Sequence, residues 1–315
     1  MTATAGRAAQ AARPVESVRT GAAAGPKHLL TFDVEEYFQV EAAARRLRPA
    51  DWDSYPRRLA PCVDRILAML NEHKAGATFF ILGWVARQEP GVVRAIAAAG
   101  HEIASHGMSH GMLARLTPAQ FRDELLESRR LLEDLSGRPV IGYRAPTFSV
   151  TAGTAWAIDV LAECGYQYDS SVFPICHDRY GVPGAPRWPH WAVGPGGGRI
   201  LEFPPLTARL LGANLPVGGG GDLRLLPIRL IGLALRSAAR RNQPAMLYVH
   251  PWELDPRQPV LPMPFLSRRR HRLNLHRTER KLQWLLERFP FAEVRARLDD
   301  IRSADLQTFQ YATPS

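Results

Sequence analysis

Three cysteines in 315 residues are too few for a disulfide framework. Cys62, Cys164 and Cys176 form no CxxC pair, which excludes a zinc ribbon and fits a reducing compartment. Long apolar runs are missing too. The most apolar stretch, residues 223–239, is broken by Arg224, Pro227, Arg229 and Arg236 and cannot span a bilayer. It could lie on a membrane as a basic amphipathic helix, although a packed helix of a larger fold is the plainer reading. Residues 1–27, rich in Ala, Gly, Thr and Arg, lack the continuous apolar segment of a secretory signal and read as a disordered tail. The expected location is cytoplasmic, with the inner membrane surface as the place for any membrane contact. There is no internal repeat and no convincing domain boundary after residue 27. No zinc-finger or RNP-type motif accompanies the net charge of +10, so the basic balance reads as arginine used for solubility and no nucleic-acid partner is expected. Nothing in the sequence fixes an oligomeric state.

What is present is alternation. Leu29 to Val34 is a β-rich run, and Val63, Ile66, Leu67 and Leu70 follow at helical spacing. Ala77-Thr-Phe-Phe-Ile-Leu is a second buried strand, Gly91 to Ala99 a helix ending at Gly100, and His101-Glu-Ile-Ala-Ser-His a third strand. Thr117, Pro118 and Gln120 announce the next helix by a capping box, and Gly137 closes it. Pro139-Val-Ile-Gly-Tyr-Arg, Tyr166-Gln-Tyr-Asp, Ile200-Leu-Glu-Phe and Ala245-Met-Leu-Tyr-Val-His complete the strands. Strands separated by helices imply a parallel sheet with crossover connections, and about seven units favour a closed or nearly closed barrel. The expected architecture is α/β, a deformed (β/α)7-type barrel over residues 28–300, a single domain with a C-terminal tail at 301–315. The insertion from Phe173 to Arg199 and the Gly218-Gly-Gly-Gly run are its irregular points.

The chemistry-bearing residues close strands. Asp33 to Glu35 end the first, His106 the third, Arg144 the fourth, Asp169 the fifth, Glu202 the sixth and His250 the last. In a parallel barrel those ends surround one mouth. His106 and His110, one helical turn apart, can direct two imidazoles at one point, and two histidines with a carboxylate make an open catalytic metal site. Taken singly, each has a dull alternative: a helix cap for Asp33, an ion pair for Arg144, a turn former for Asp169, a packed histidine for His250.

Five motifs in this order resemble the polysaccharide deacetylases, also called carbohydrate esterase family 4. They are Thr31-Phe-Asp-Val-Glu-Glu-Tyr-Phe, Ser105-His-Gly-Met-Ser-His, Arg144-Ala-Pro-Thr-Phe-Ser, Asp169-Ser-Ser-Val-Phe-Pro and Tyr248-Val-His-Pro-Trp-Glu. Asp178-Arg-Tyr-Gly, Asn214-Leu-Pro-Val-Gly-Gly-Gly-Gly and the Ser267-Arg-Arg-Arg-His region are similar to a subgroup encoded beside exopolysaccharide and exosortase loci. The resemblance implies hydrolysis of an N-acetyl amide by a metal-activated water. It makes His106 and His110 ligands and Asp33 the general base. Arg144 would pair with Asp33, His250 would act as general acid, and Asp169 would orient His250. Phe148 and Trp252 are candidates for the sugar pocket wall. The metal would be divalent, Zn²⁺ first, with Co²⁺ or Ni²⁺ as alternatives. Two departures stand out. Val34 occupies the place of the family's usual aspartate ligand; strand alternation puts Glu35 on the face of Asp33, so Glu35 is preferred to Glu36 as substitute. Gly107 stands where the family pattern has a hydroxyl.

The implied substrate is an N-acetylated oligo- or polysaccharide, an exopolysaccharide or its precursor. The alternatives are a C–N hydrolase of a small ureide or formamide on the same barrel, and a non-catalytic glycan-binding module.

Overall fold

A computed structural model describes residues 27–44, 46–177 and 179–311. The expected N-terminal tail lies, apart from residue 27, outside the described residues, as does Asp178.

The strands are β1 (His28–Val34), β2 (Thr78–Ile81), β3 (Glu102–Ser105), β4 (Gly142–Tyr143), β5 (Tyr168–Asp169), β6 (His190–Val193), β7 (Arg199–Glu202), β8 (Thr207–Leu210), β9 (Ala213–Pro216), β10 (Met246–Val249), β11 (Phe291–Ala292) and β12 (Thr308–Gln310). The main sheet runs β10-β1-β2-β3-β4-β5-β7-β6-β12, and β11 adds to β1. From β10 to β7 every neighbouring pair is parallel. The connecting helices are α1 (Leu59–Glu72), α2 (Gly83–Gln88), α3 (Pro90–Ala98), α4 (Pro118–Ser136), α5 (Trp156–Glu163), α6 (Gly220–Leu225), α7 (Ile228–Arg240), α8 (Phe265–Arg272), α9 (Leu275–Leu286) and α10 (Arg295–Arg302).

Each expected strand forms. The capping box of α4 forms as well: Thr117 accepts from the Gln120 amide, and Gly137 terminates the helix at φ 67°. Four features were not legible. The 173–199 insertion contributes β6, antiparallel to β7. β8 and β9 form a separate hairpin. β11 is two residues long. Finally, α10 runs to Arg302 and β12 joins the sheet beside β6, so folded structure continues past the expected boundary at residue 300.

Alternation along the strands sorts their side chains. Leu30, Phe32 and Val34 of β1 belong to the large cluster shared with Ile66, Leu70 and Leu235 on the helices. Leu29 joins an inner cluster with Phe80, Ala104, Tyr168, Leu201, Phe203 and Met246, closed below by Leu298 and Ile301 of α10. Thr31 and Asp33 share the face of Leu29, so they continue that interior upward. The register then levels the rim. Val34 pairs with Ile81, Ile81 with Ser105, Ser105 with Tyr143, and Tyr143 with Asp169. Glu35, His106 and Arg144 are each the residue after one of these, and His250 follows Val249 at the end of β10.

Candidate metal centre

Glu35, His106 and His110 each offer a ligand atom, and these atoms lie within 4.8 Å of one another. Glu35 Oε2 is 2.5 Å from His110 Nε2 and 3.9 Å from His106 Nε2. His106 Nδ1 lies 2.8 Å from the carbonyl oxygen of Arg144. A carbonyl can only accept, so Nδ1 carries the proton and the Nε2 lone pair faces the carboxylate. Two imidazole nitrogens and one carboxylate oxygen at a cavity wall are the donor set of an open divalent-metal site, so the residues fit such an ion.

The pair is not on a helix, contrary to the expectation of one helical turn. Residues 106–112 form a loop after β3, with His110 at φ 58° and Gly107 at φ 77°. That conformation is cheap for glycine and costly for a side chain with Cβ. It explains why a glycine stands where a hydroxyl was expected. The loop is fastened from outside. The Gly107 amide donates to Ser105 Oγ at 3.2 Å, and the Met108 and Ser109 amides donate to the Glu124 carboxylate of α4 at 3.2 and 3.4 Å.

Burial lowers the His106 pKa to about 4, so the ring is neutral, as a ligand must be. Burial would raise Glu35, but His110, His250 and His106 outweigh it and hold the carboxyl down to about 2. Burial would lower His110; the facing Glu35 raises it.

Glu36 points the other way. Its Oε1 accepts the Arg58 and Leu59 amides at 2.7 and 3.1 Å, so it caps α1, and burial pushes its pKa up to about 7.

Asp33 and Arg144 meet as expected, with Arg144 Nη1 donating to Asp33 Oδ1 at 2.6 Å. The guanidinium is fully buried. It also donates to Thr31 Oγ1 and to the carbonyl and hydroxyl of Ser170, and lies 4.1 Å over the Phe80 ring. Arg144 therefore ties β1 to the end of β5 across the floor of the site.

His250 is placed at the site, but not by Asp169. Its Nδ1 is 2.7 Å from Glu253 Oε1, and its Nε2 is 3.7 Å from Glu35 Oε1. Glu253 is held in turn by Arg224 Nε at 2.6 Å. Burial would lower the imidazole; Glu35 and Glu253 overcome this and raise it to about 9. Asp169 instead accepts from Ser171 Oγ and faces Glu202. Burial raises both carboxyls, Asp169 to about 6, and their proximity favours one shared proton. The expectation that Asp169 orients His250 is thus corrected to Glu253. The Tyr248-Val-His-Pro-Trp-Glu motif contained that residue, and its i, i+3 spacing across a turn starting at Pro251 is the missed signal.

A cavity of about 190 Å³ opens over these groups, lined by Asp33, Glu35, His106, His110, Thr147, Phe148, Tyr180, Tyr248, His250 and Trp252. Phe148 lines it but packs against Tyr248, centroids 4.7 Å apart. Trp252 is sandwiched between His250 and His271, at 5.1 and 4.5 Å. Its faces are therefore covered, which removes it as a sugar-stacking platform. Its indole N–H donates to Glu35 Oε1 at 3.3 Å.

Residues 50–168 match the family described as polysaccharide deacetylase, and residues 170–299 match a domain of unknown function, DUF3473. A chitooligosaccharide deacetylase of Bradyrhizobium is 32% identical over 101 residues, 32% of this chain and 44% of that one. A peptidoglycan deacetylase of Helicobacter pylori is 32% identical over 110 residues, 35% of this chain and 36% of that one. The matched part is thus less than half the length of either relative. A Mycobacterium smegmatis structure assigned by name to the polysaccharide deacetylases superposes with a TM-score of 0.61 at 22% identity, covering 93% of this chain and 98% of that one. An allantoinase superposes at 0.53 with 18% identity, covering 88% of each chain. These two likenesses concern the fold alone, the α/β barrel of deformed (β/α)7 type.

Proposed function

We propose, from the match of residues 50–168 to the polysaccharide deacetylase family, that the chain hydrolyses N-acetyl groups on hexosamine units of a polysaccharide or its precursor. The observation that carries this reading is the meeting of three systems at one small cavity: Glu35 with two histidines, Asp33 with Arg144, and His250 with Glu253.

Glu35, His106 and His110 would hold a divalent cation, Zn²⁺ before Co²⁺ or Ni²⁺, which supplies positive charge to acidify water and polarise a carbonyl. The remaining work falls to the protein. Asp33, fixed by the buried Arg144, accepts a proton from the attacking water. Water oxygen adds to the amide carbon, and the C–N bond breaks as His250 Nε2 gives its proton to the leaving nitrogen. Acetate and a free amine result. The raised pKa of His250 favours its protonated form, as an acid requires, and Glu253 keeps the ring facing the cavity. Trp252 positions Glu35 through its N–H. The cavity admits an acetamido group and one edge of a sugar ring. The rest of a chain would lie across its mouth, near Thr147 and Tyr180.

The test is acetate release from N-acetylated chitooligosaccharides and from acetylated exopolysaccharide, after chelation and after return of each metal. A ureide panel runs in parallel, because the fold is shared with an allantoinase. Metal-dependent release, abolished by Glu35→Gln, is expected. No release from any acetylated sugar, or release that Glu35→Gln leaves intact, overturns the reading.

A further inference from the structure

The two largest cavities among those described lie away from the metal centre and adjoin each other. One, about 490 Å³, is an apolar groove between the β8–β9 hairpin and α7; the other is about 720 Å³. Arg187, Trp188, Arg209 and Arg241 line both.

Six leucines are exposed on or beside this groove: Leu210, Leu211, Leu215, Leu225, Leu230 and Leu233. Leu211 stands out. It is 99% exposed at the tip of the hairpin, with φ 49°, followed by Gly212 at φ 84°. A two-residue turn with positive φ at both positions favours Asn-Gly or Asp-Gly, since a leucine there strains the backbone. Among the described residues Leu211 makes no compensating contact, because almost all of its surface faces outward. Both the strain and the exposure are explained if the side chain is buried against something else.

The surrounding charge says what that is. Arg229, Arg236 and Arg240 on the exposed side of α7 flank Leu230 and Leu233. At the far end of the groove burial lowers the pKa of Arg187, and the like charges of Arg209 and Arg241 lower it further. Asp305 is the one carboxylate among the residues lining the two cavities. Apolar side chains at a projecting tip and along one helix stripe, ringed by arginines, are complementary to an interface with anionic phosphates over hydrocarbon. No helix among the described residues is long and apolar enough to cross a membrane.

We propose that the face formed by the β8–β9 hairpin and α7 docks on the acidic phospholipid headgroups of a bilayer, with the Leu210–Leu211 tip inserted and the arginines on the phosphates. The docked face also leads to the metal centre. Pro216 lines both the apolar groove and a third cavity of about 240 Å³, which shares Tyr180 and Tyr248 with the metal-centre cavity. Leu225 and Leu273, both exposed, stand on opposite elements of that third cavity. A glycan tethered to the same bilayer would thus enter from the docked side.

The experiment is co-sedimentation of the full chain with phosphatidylcholine vesicles, with and without phosphatidylglycerol, at low and raised salt. Binding that requires phosphatidylglycerol and weakens with salt is expected. Leu211→Asn relieves the turn and so retains the melting temperature, but it weakens binding roughly tenfold, the effect of withdrawing one large apolar side chain from hydrocarbon. Arg209→Gln with Arg241→Gln lowers both binding and its salt dependence. Equal binding to neutral vesicles overturns the proposal, as does undiminished binding by a folded Leu211→Asn protein. Lipid-independent dimerisation that Leu211→Asn abolishes, without vesicle binding, would assign the face to a second copy of the chain and likewise overturn it.

Discussion

Trp252 and Glu35 are joined by a hydrogen bond from the indole nitrogen to Oε1 at 3.3 Å, which leaves Oε2 to face the two histidines. The tryptophan thereby decides which carboxylate oxygen is offered to a cation.

Replacing Trp252 by Phe keeps an aromatic ring between His250 and His271 but removes the donor. Metal affinity is expected to fall about tenfold, the lower end of what an outer partner of a ligand usually contributes. Calorimetric titration of chelated protein with Zn²⁺ measures it. Unchanged affinity would mean that Glu35 is oriented without the indole.

Glu35 and Glu36 separate cleanly by substitution. Glu35→Gln is expected to abolish metal binding and to lower kcat/KM by about 10² or more. Glu36→Gln retains the oxygen that accepts the Arg58 and Leu59 amides, so activity stays near that of the unaltered protein and stability shifts by less than about 1 kcal/mol. Paired metal titrations and thermal melts of the two variants check both halves.

Gly220→Ala tests the support of His250. A Cβ at position 220 would sit 1.7 Å from Glu253 Oε1, so the carboxylate must move off the imidazole. The obstacle is the end of a side chain, and alanine suits α6, so the protein is expected to fold. Loss of kcat with metal affinity intact is the expected result, together with a changed alkaline limb of the pH–rate profile. A variant with unaltered kcat would remove Glu253 from the positioning role.

The acid limb of stability is expected to follow buried neutral histidines. Burial lowers His28, His190 and His271 to about 4 each, against an ordinary value of 6.5. Between those values the unfolded chain binds protons that the folded chain refuses, so stability falls as pH drops from 6.5 toward 4. Each ring accounts for up to roughly 3 kcal/mol of that loss. His190→Gln, which can retain a bond to the Tyr311 hydroxyl, should flatten the slope in this window. Denaturant titrations at several pH values measure it, and an unchanged slope contradicts the assignment.

The strands and crossover helices were legible because buried parallel strands leave short apolar runs and amphipathic helices leave spaced ones. Asp33, His106, Arg144 and His250 were legible because each stands at the C-terminal end of a parallel strand, where the ends surround one mouth. Alternation chose Glu35 over Glu36 once the resemblance had called for a carboxylate ligand where Val34 stands. Glu253 was not visible in the same way, since its role depends on a turn at Pro251 and on Arg224 arriving from another element. Asp169 misled because its strand-end position fits two roles, and only the nearness of Glu202 decides between them. The glycine run at 218–221 read only as an irregular point of the fold. In space Gly218 lies against the backbone of Leu206 and Met246, Gly219 against Tyr248 and Gly220 against Glu253. These are approaches that no local pattern encodes. The short β6, β8, β9 and β12 depend on pairing partners rather than on periodicity.

The centre draws on three stretches of the chain. Asp33 and Glu35 precede the segment at 50–168, His106, His110 and Arg144 lie within it, and Arg224, His250, Trp252 and Glu253 lie in the segment at 170–299. Three of the working contacts cross from one stretch to another: Asp33 with Arg144, Glu35 with His110, Glu35 with Trp252. The two segments are consequently not interchangeable parts. A chimera that grafted either one from a relative would inherit half of each contact that it makes with Asp33 or Glu35, so each segment can change only in step with the first strand.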